Sequence, residues 1–113
     1  MAIKGATSKN CTEVNGFFFN QGMRDDKPFF KNLVSQSYLY FASNGFWYVS
    51  SKDDFDAGKA AGWCRSAEPS LDHPSRARLW KGWKTKWVDQ PAIEVNTVVQ
   101  PFSGKRGEQF SLN

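Results

Sequence analysis

Apolar and polar positions alternate in short bursts along this chain, and the apolar partners are mostly rings: Phe17-Phe18-Phe19, Phe29-Phe30, Tyr38-Leu39-Tyr40-Phe41 and Phe46-Trp47-Tyr48-Val49. In an extended strand successive side chains point to opposite faces, so spacing of this kind predicts a small antiparallel sheet with an aromatic core. The predicted strands cover residues 3–6, 16–20, 28–32, 37–42, 46–50 and 63–67, with a last strand region over 87–99 interrupted or bulged at Pro91. Residues 21–27, with Gly22 and Asp25-Asp26, form the turn of the first hairpin. The strongest local signal is Ser43-Asn44-Gly45, because Asn-Gly between two aromatic runs favours a two-residue type I′ turn. The segment 53–61 opens on three aspartates, turns Ala-rich and meets Gly62, which suits one or two helical turns weakened by Gly58.

The expected fold is therefore all-β and mainly antiparallel: one small domain, a meander, sandwich or open barrel, with at most one short helix. Residues 1–99 make up this aromatic-rich domain. The pattern is lost over residues 100–113, a C-terminal tail whose anchor candidates are Phe102, Phe110 and Leu112. These side chains fold back onto the domain's own sheet or dock on a partner, and the sequence leaves the two alternatives level.

At 113 residues with 40% apolar content there is material for one buried core. No apolar stretch approaches the ~20 residues that span a bilayer as a helix. The segment Met1-Ala2-Ile3-Lys4-Gly5 leads into Ser/Thr/Asn-rich sequence without the apolar core of a secretory signal, so the expected compartment is the cytoplasm, or an organelle if a targeting segment has been removed. Cys11 and Cys64 lack CxxC spacing and read as two reduced thiols, with a single clamp between them as the alternative in an oxidising compartment.

The formal charge is +4, and the basic excess falls in the second half while acid concentrates at Asp25-Asp26 and Asp53-Asp54-Asp56. Within that half, Arg76, Arg78, Lys81, Lys84 and Lys86 interleave with Trp80, Trp83 and Trp87. Such a mixture suits a core edged by solvated charge, a protein-docking face, or stacking on bases or a lipid surface. The three indoles also have helical spacing, although Gly82 and Thr85 make a poor helix. Together with Phe102 and Phe110 these residues form the candidate binding set.

Catalytic and metal chemistry finds little support. The single imidazole, His73, sits in a proline-marked loop beside Asp72. Ser70, Ser75 and Cys64 are the conceivable nucleophiles, none of them framed by a glycine elbow. Asp53, Asp54 and Asp56 resemble the opening of a calcium loop, but Cys64 stands where its closing Glu belongs. One His and two distant Cys do not make a zinc site, and no phosphate-binding glycine motif occurs. No catalytic residue, metal or cofactor is expected.

Several of these positions carry a family resemblance. Val14-Asn15-Gly16-Phe17-Phe18, Lys27-Pro28-Phe29-Phe30-Lys31, Tyr38-Leu39-Tyr40-Phe41, Gly45-Phe46-Trp47-Tyr48-Val49-Ser50 and Gly62-Trp63 follow one another in a recognisable order. Over residues 3–95 the chain resembles a small aromatic-rich β module, often repeated in proteins of algae and other protists. This chain has Asp25-Asp26-Lys27-Pro28 where the usual pattern has Asn-Gly-Arg-Pro. The resemblance implies a structural or interaction module without catalytic residues. The expected function is a non-enzymatic accessory or structural subunit that binds other proteins of a larger assembly through exposed aromatics, the basic segment and the tail. The alternative is a carbohydrate or nucleic-acid module that stacks its ligand on Trp and Tyr.

Overall fold

A computed structural model of the chain describes residues 1–7, 11–83 and 86–97. Among these residues there are nine strands: β1 (Ala2–Lys4), β2 (Gly16–Arg24), β3 (Lys27–Asn32), β4 (Tyr38–Phe41), β5 (Trp47–Ser50), β6 (Cys64–Ser66), β7 (Trp80–Trp83), β8 (Trp87–Gln90) and β9 (Glu94–Asn96). They form one antiparallel sheet in the order β8-β7-β6-β5-β4-β3-β2-β1-β9. Two short helices, α1 (Cys11–Val14) and α2 (Lys52–Ala57), and a 3-10 turn at Pro74–Arg76 complete the described elements. The sheet is the architecture the alternation predicts; α1 is an extra turn of helix inside what reads as a polar link.

The sheet cannot lie flat. Nine strands spaced ~4.8 Å apart would separate β8 from β9 by about 38 Å, yet only residues 91–93 join Gln90 to Glu94, a reach of about 14 Å. Since every neighbouring pair is antiparallel, the two ends of an odd-numbered order also run the same way. β8 and β9 are thus two halves of one bent strand, the first bonded to β7 and the second to β1. The bend falls at Pro91-Ala92, where Ile93 donates its N–H to the Gln90 carbonyl. This strand break at Pro91 is the one the sequence predicts, and it curls the sheet into a half-barrel.

The hollow side of the curl is filled by Ile3, Val14, Phe18, Phe30, Leu39, Trp47, Val49, Cys64, Trp80, Ile93 and Val95. Cys64 is a free buried thiol whose pKa is pushed up to about 12 by burial, which leaves it inert. Trp47 donates its indole N–H to the Leu71 carbonyl at 2.9 Å. Trp80 Nε1 has no partner among the described residues.

On the outer side, β4 and β5 present Tyr38, Tyr40 and Tyr48, and α2 lies across them through Phe55. The Ser51 hydroxyl caps α2 by accepting the Asp54 N–H. Gly58, at φ 66°, and Lys59 return their N–H groups to Phe55 and Asp54 carbonyls, so the helix stops at Ala57 rather than continuing toward Gly62. Tyr40 then pins the departing chain by donating its hydroxyl to the Lys59 carbonyl. Burial, helped by the nearby Asp54 charge, raises the Tyr40 phenol to about 12, so it remains a donor at physiological pH.

Two turns differ from expectation. At 43–45 only Gly45 has positive φ, and Ala42 and Phe46 close a three-residue loop with the Ala42 N–H donated to the Phe46 carbonyl. That is a type I turn ending in a glycine bulge, not a type I′ turn. Positive φ at both central positions occurs instead at Asp25 (54°) and Asp26 (64°), which join β2 directly to β3.

Candidate functional site

β2 and β3 fall out of simple register between Asn20 and Gly22, so Gln21 is an extra residue. Without it Arg24 would share the inward face with Phe18; with it, the side chain swings outward. Its guanidinium lies 4.0 Å from the Phe55 ring centre and donates to the Phe55 carbonyl. The bulge thereby locks α2 over the middle of the outer face, leaving a flank of that face on either side.

One flank holds the predicted indole segment. β7 and β8 form a hairpin in which Trp80 pairs with Gln90, Lys81 with Asp89 and Trp83 with Trp87. Period two, not helical spacing, sorts the three indoles. Trp80 points into the core and is 1% exposed, so it is removed from the binding set as a structural residue. Trp83 and Trp87 point outward, their rings meeting edge to face at 5.1 Å. Trp83 remains 46% exposed, whereas Trp87 is half-buried against Tyr48 at 6.0 Å.

Beside these two rings the chain leaving α2 supplies Ala60, Ala61 and Gly62, and the five residues line a groove of about 400 Å³. Gly62 is required there: a Cβ would sit 2.5 Å from the Val49 carbonyl oxygen. Arg65, opposite Tyr48 on β6, borders this face with its guanidinium 4.4 Å from the Phe46 ring centre and 5.1 Å from that of Trp87. The arrangement is an apolar slot with a cationic rim, suited to receiving an apolar or aromatic group.

Among the described residues, Lys81, Arg76 and Arg78 do not converge on that slot. Lys81 bonds Asp89 across the hairpin at 2.9 Å. Arg76 lies on the 3-10 turn and pairs with Asp72 at 3.0 Å, both side chains being exposed. Arg78 is an exposed loop residue whose backbone N–H is taken by Glu68, and Lys86 is exposed beside Trp87. Lys84, Phe102 and Phe110 lie outside the described residues.

His73 occupies the N-cap of the same 3-10 turn. Its Nδ1 accepts the Ser75 N–H at 3.2 Å and lies 2.7 Å from Ser75 Oγ, while its ring stands edge-on to Phe30. Asp72 faces Arg76, so the imidazole holds the turn rather than being held by a carboxylate. Burial lowers its pKa and favours the neutral, accepting ring. The described residues contain no group of three or more His, Cys, Asp or Glu able to hold a metal, and no helix among them is long and apolar enough to cross a membrane.

A second exposed apolar surface escapes the predicted set. It lies on the other flank, where Phe17, Phe19, Leu33 and Val34 are 61%, 36%, 53% and 94% exposed. The signal was present in the run Phe17-Phe18-Phe19: in a period-two strand three consecutive rings cannot share one face, so burying Phe18 sends both neighbours outward. No protein-family model matches the chain, and no curated protein or solved structure matches it either.

Proposed function

We propose that the chain is a non-enzymatic interaction module, an accessory or structural subunit of a larger assembly, which docks another protein through the indole face of β7 and β8. The observation that carries this reading is Trp83, held 46% exposed beside Trp87 over a floor of Ala60, Ala61 and Gly62. Interface free energy concentrates in Trp, Tyr and Arg that fill pockets and shed water on binding. A large ring already fixed by a cross-strand partner loses little freedom when it is covered. The resemblance to the repeated algal and protist module implies the same kind of role.

Trp83→Ala is the direct test, because that ring is the exposed member of the pair. Association with a partner isolated alongside the native protein should weaken at least tenfold while the chain stays folded, its melting temperature lowered by about 4–8 °C for the roughly 1 kcal/mol of the lost ring pair. Unchanged association would refute the proposal. A salt series separates the alternative ligands. Nucleic-acid binding would weaken steeply between 50 and 200 mM salt, and binding to an isolated neutral oligosaccharide would identify the indoles as a sugar platform instead.

A further inference from the structure

We infer that the apolar flank formed by Phe17, Phe19, Leu33 and Val34 is the seat of the chain's own C-terminal segment, residues 98–113. This occupant is independent of the indole face and of the partner proposed for it.

The flank is built, not incidental. Asn32 is buried and accepts the N–H groups of Val34 and Ser35 through its side-chain oxygen while donating to the Asn15 carbonyl. That network fixes the 32–37 turn and holds Leu33 and Val34 outward. Phe17 and Phe19 complete the wall, and with Thr12, Asn15, Gly16 and Asn32 the four enclose a groove of about 400 Å³. Isolated exposed apolar residues are ordinary, but four adjacent ones around a groove mark a surface that something covers.

The register says which segment arrives there. Asn96 is paired with Ala2, and Ala2 with Phe17, so the chain leaves β9 two strand spacings, about 10 Å, from the Phe17 backbone. Val95 points into the core; Asn96, Ala2 and Phe17 therefore share the outer face. The residue between the exit and the ring is an alanine, which leaves a shallow path between them. Because β9 and β2 are both antiparallel to β1, the chain is travelling in the direction from Phe17 toward Phe19 as it leaves. Beyond Phe18, whose N–H goes to the Met1 carbonyl, β2 has no second strand neighbour among the described residues. Six residues after Asn96 comes Phe102, within about 20 Å of reach, followed by Phe110 and Leu112.

Photo-crosslinking in the full chain tests this. With p-benzoylphenylalanine in place of Phe17, and separately of Val34, irradiation should join the probe to a peptide from 98–113. The yield should not change over a tenfold range of protein concentration. The same probe at Met23, 66% exposed but distant from the groove, should give at most about a fifth of that yield. Replacing Phe102 and Phe110 together by Ser should lower the Phe17 crosslink at least fivefold with the circular dichroism spectrum unchanged. Crosslinks that avoid 98–113, a yield rising in proportion to concentration as a second copy would require, or a yield indifferent to the double substitution would each overturn the assignment.

Discussion

Phe55→Ala removes the one buried side chain of α2, and its consequence follows from what that ring touches. Phe55 is buried, stacks on Tyr38 at 4.4 Å and 7°, meets Phe29 at 4.8 Å and Tyr40 at 5.4 Å, and carries the Arg24 guanidinium at 4.0 Å. Truncating a buried Phe costs about 3–5 kcal/mol. Aromatic pairs contribute about 0.5–1.5 kcal/mol beyond area, so three ring neighbours place this site near 4 kcal/mol. Against a total stability of about 5–15 kcal/mol for a domain of this size, that is a large share. In urea unfolding followed by tryptophan fluorescence, an m-value of about 1.5 kcal/mol/M turns the loss into a midpoint drop of about 2–3 M. Phe55→Leu, which keeps apolar volume but no ring, should fall between the variant and the parent. A midpoint shift below about 0.5 M for Phe55→Ala would refute the view that α2 is held by this ring cluster.

Other consequences are equally specific. Gly5→Ala should destabilise by more than about 3 kcal/mol or abolish folding, because φ is +90° and the new Cβ would lie 1.8 Å from the Ala92 carbonyl oxygen at the bend joining β8 to β9. Gly58→Ala, where nothing lies within 4 Å, should cost only about 1 kcal/mol through its positive φ; chemical denaturation of the two variants side by side checks the contrast. Asp26→Gly should stabilise by about 0.5–1 kcal/mol, since the Asp25-Asp26 turn needs positive φ at both positions, and a lowered thermal midpoint would contradict that geometry. His73 has a depressed pKa in the folded chain, so the unfolded chain takes up its proton first as pH falls below about 6.5. Its contribution is complete above that pH and lost as pH drops through the folded value. His73→Asn, which retains a cap, should flatten the stability slope below pH 6.5, and an imidazole NMR titration at or above 6.5 would contradict the sign.

Most strands were legible because their signal is local; β7 was not, since its indoles and Gly82 left residues 76–86 without a clear period. Leu39 and Val49 face inward and Tyr38, Tyr40 and Tyr48 outward, as period two requires, and α2 was visible in its acidic start, although it ends at Ala57 and not at residue 61. What escaped depends on partners distant in sequence. Arg24 reaches Phe55 only because Gln21 inserts a bulge, and Gly22, which can mark a bulge, reads equally well as part of a turn over 21–27. The turn at Asn44-Gly45 was placed correctly, but its type follows from Ala42 bonding Phe46, which adds a third residue to the loop. Asp25-Asp26 takes the tighter turn although Asp is a weaker signal for positive φ than Gly. In the candidate site, Trp83 and Trp87 were identifiable as rings near charge. That Trp80 turns inward while Lys81 and Arg76 are occupied by Asp89 and Asp72 emerges only from the β7–β8 register and the 3-10 turn.

The state in which the protein exists in its native extract tests the central claim most directly. Gentle purification followed by size exclusion and mass spectrometry should recover it within a stoichiometric assembly, and a Trp83→Ala chain expressed in its place should elute as a folded monomer. A wild-type chain that elutes alone, or a Trp83→Ala chain that stays in the assembly, would contradict recognition through the indole face.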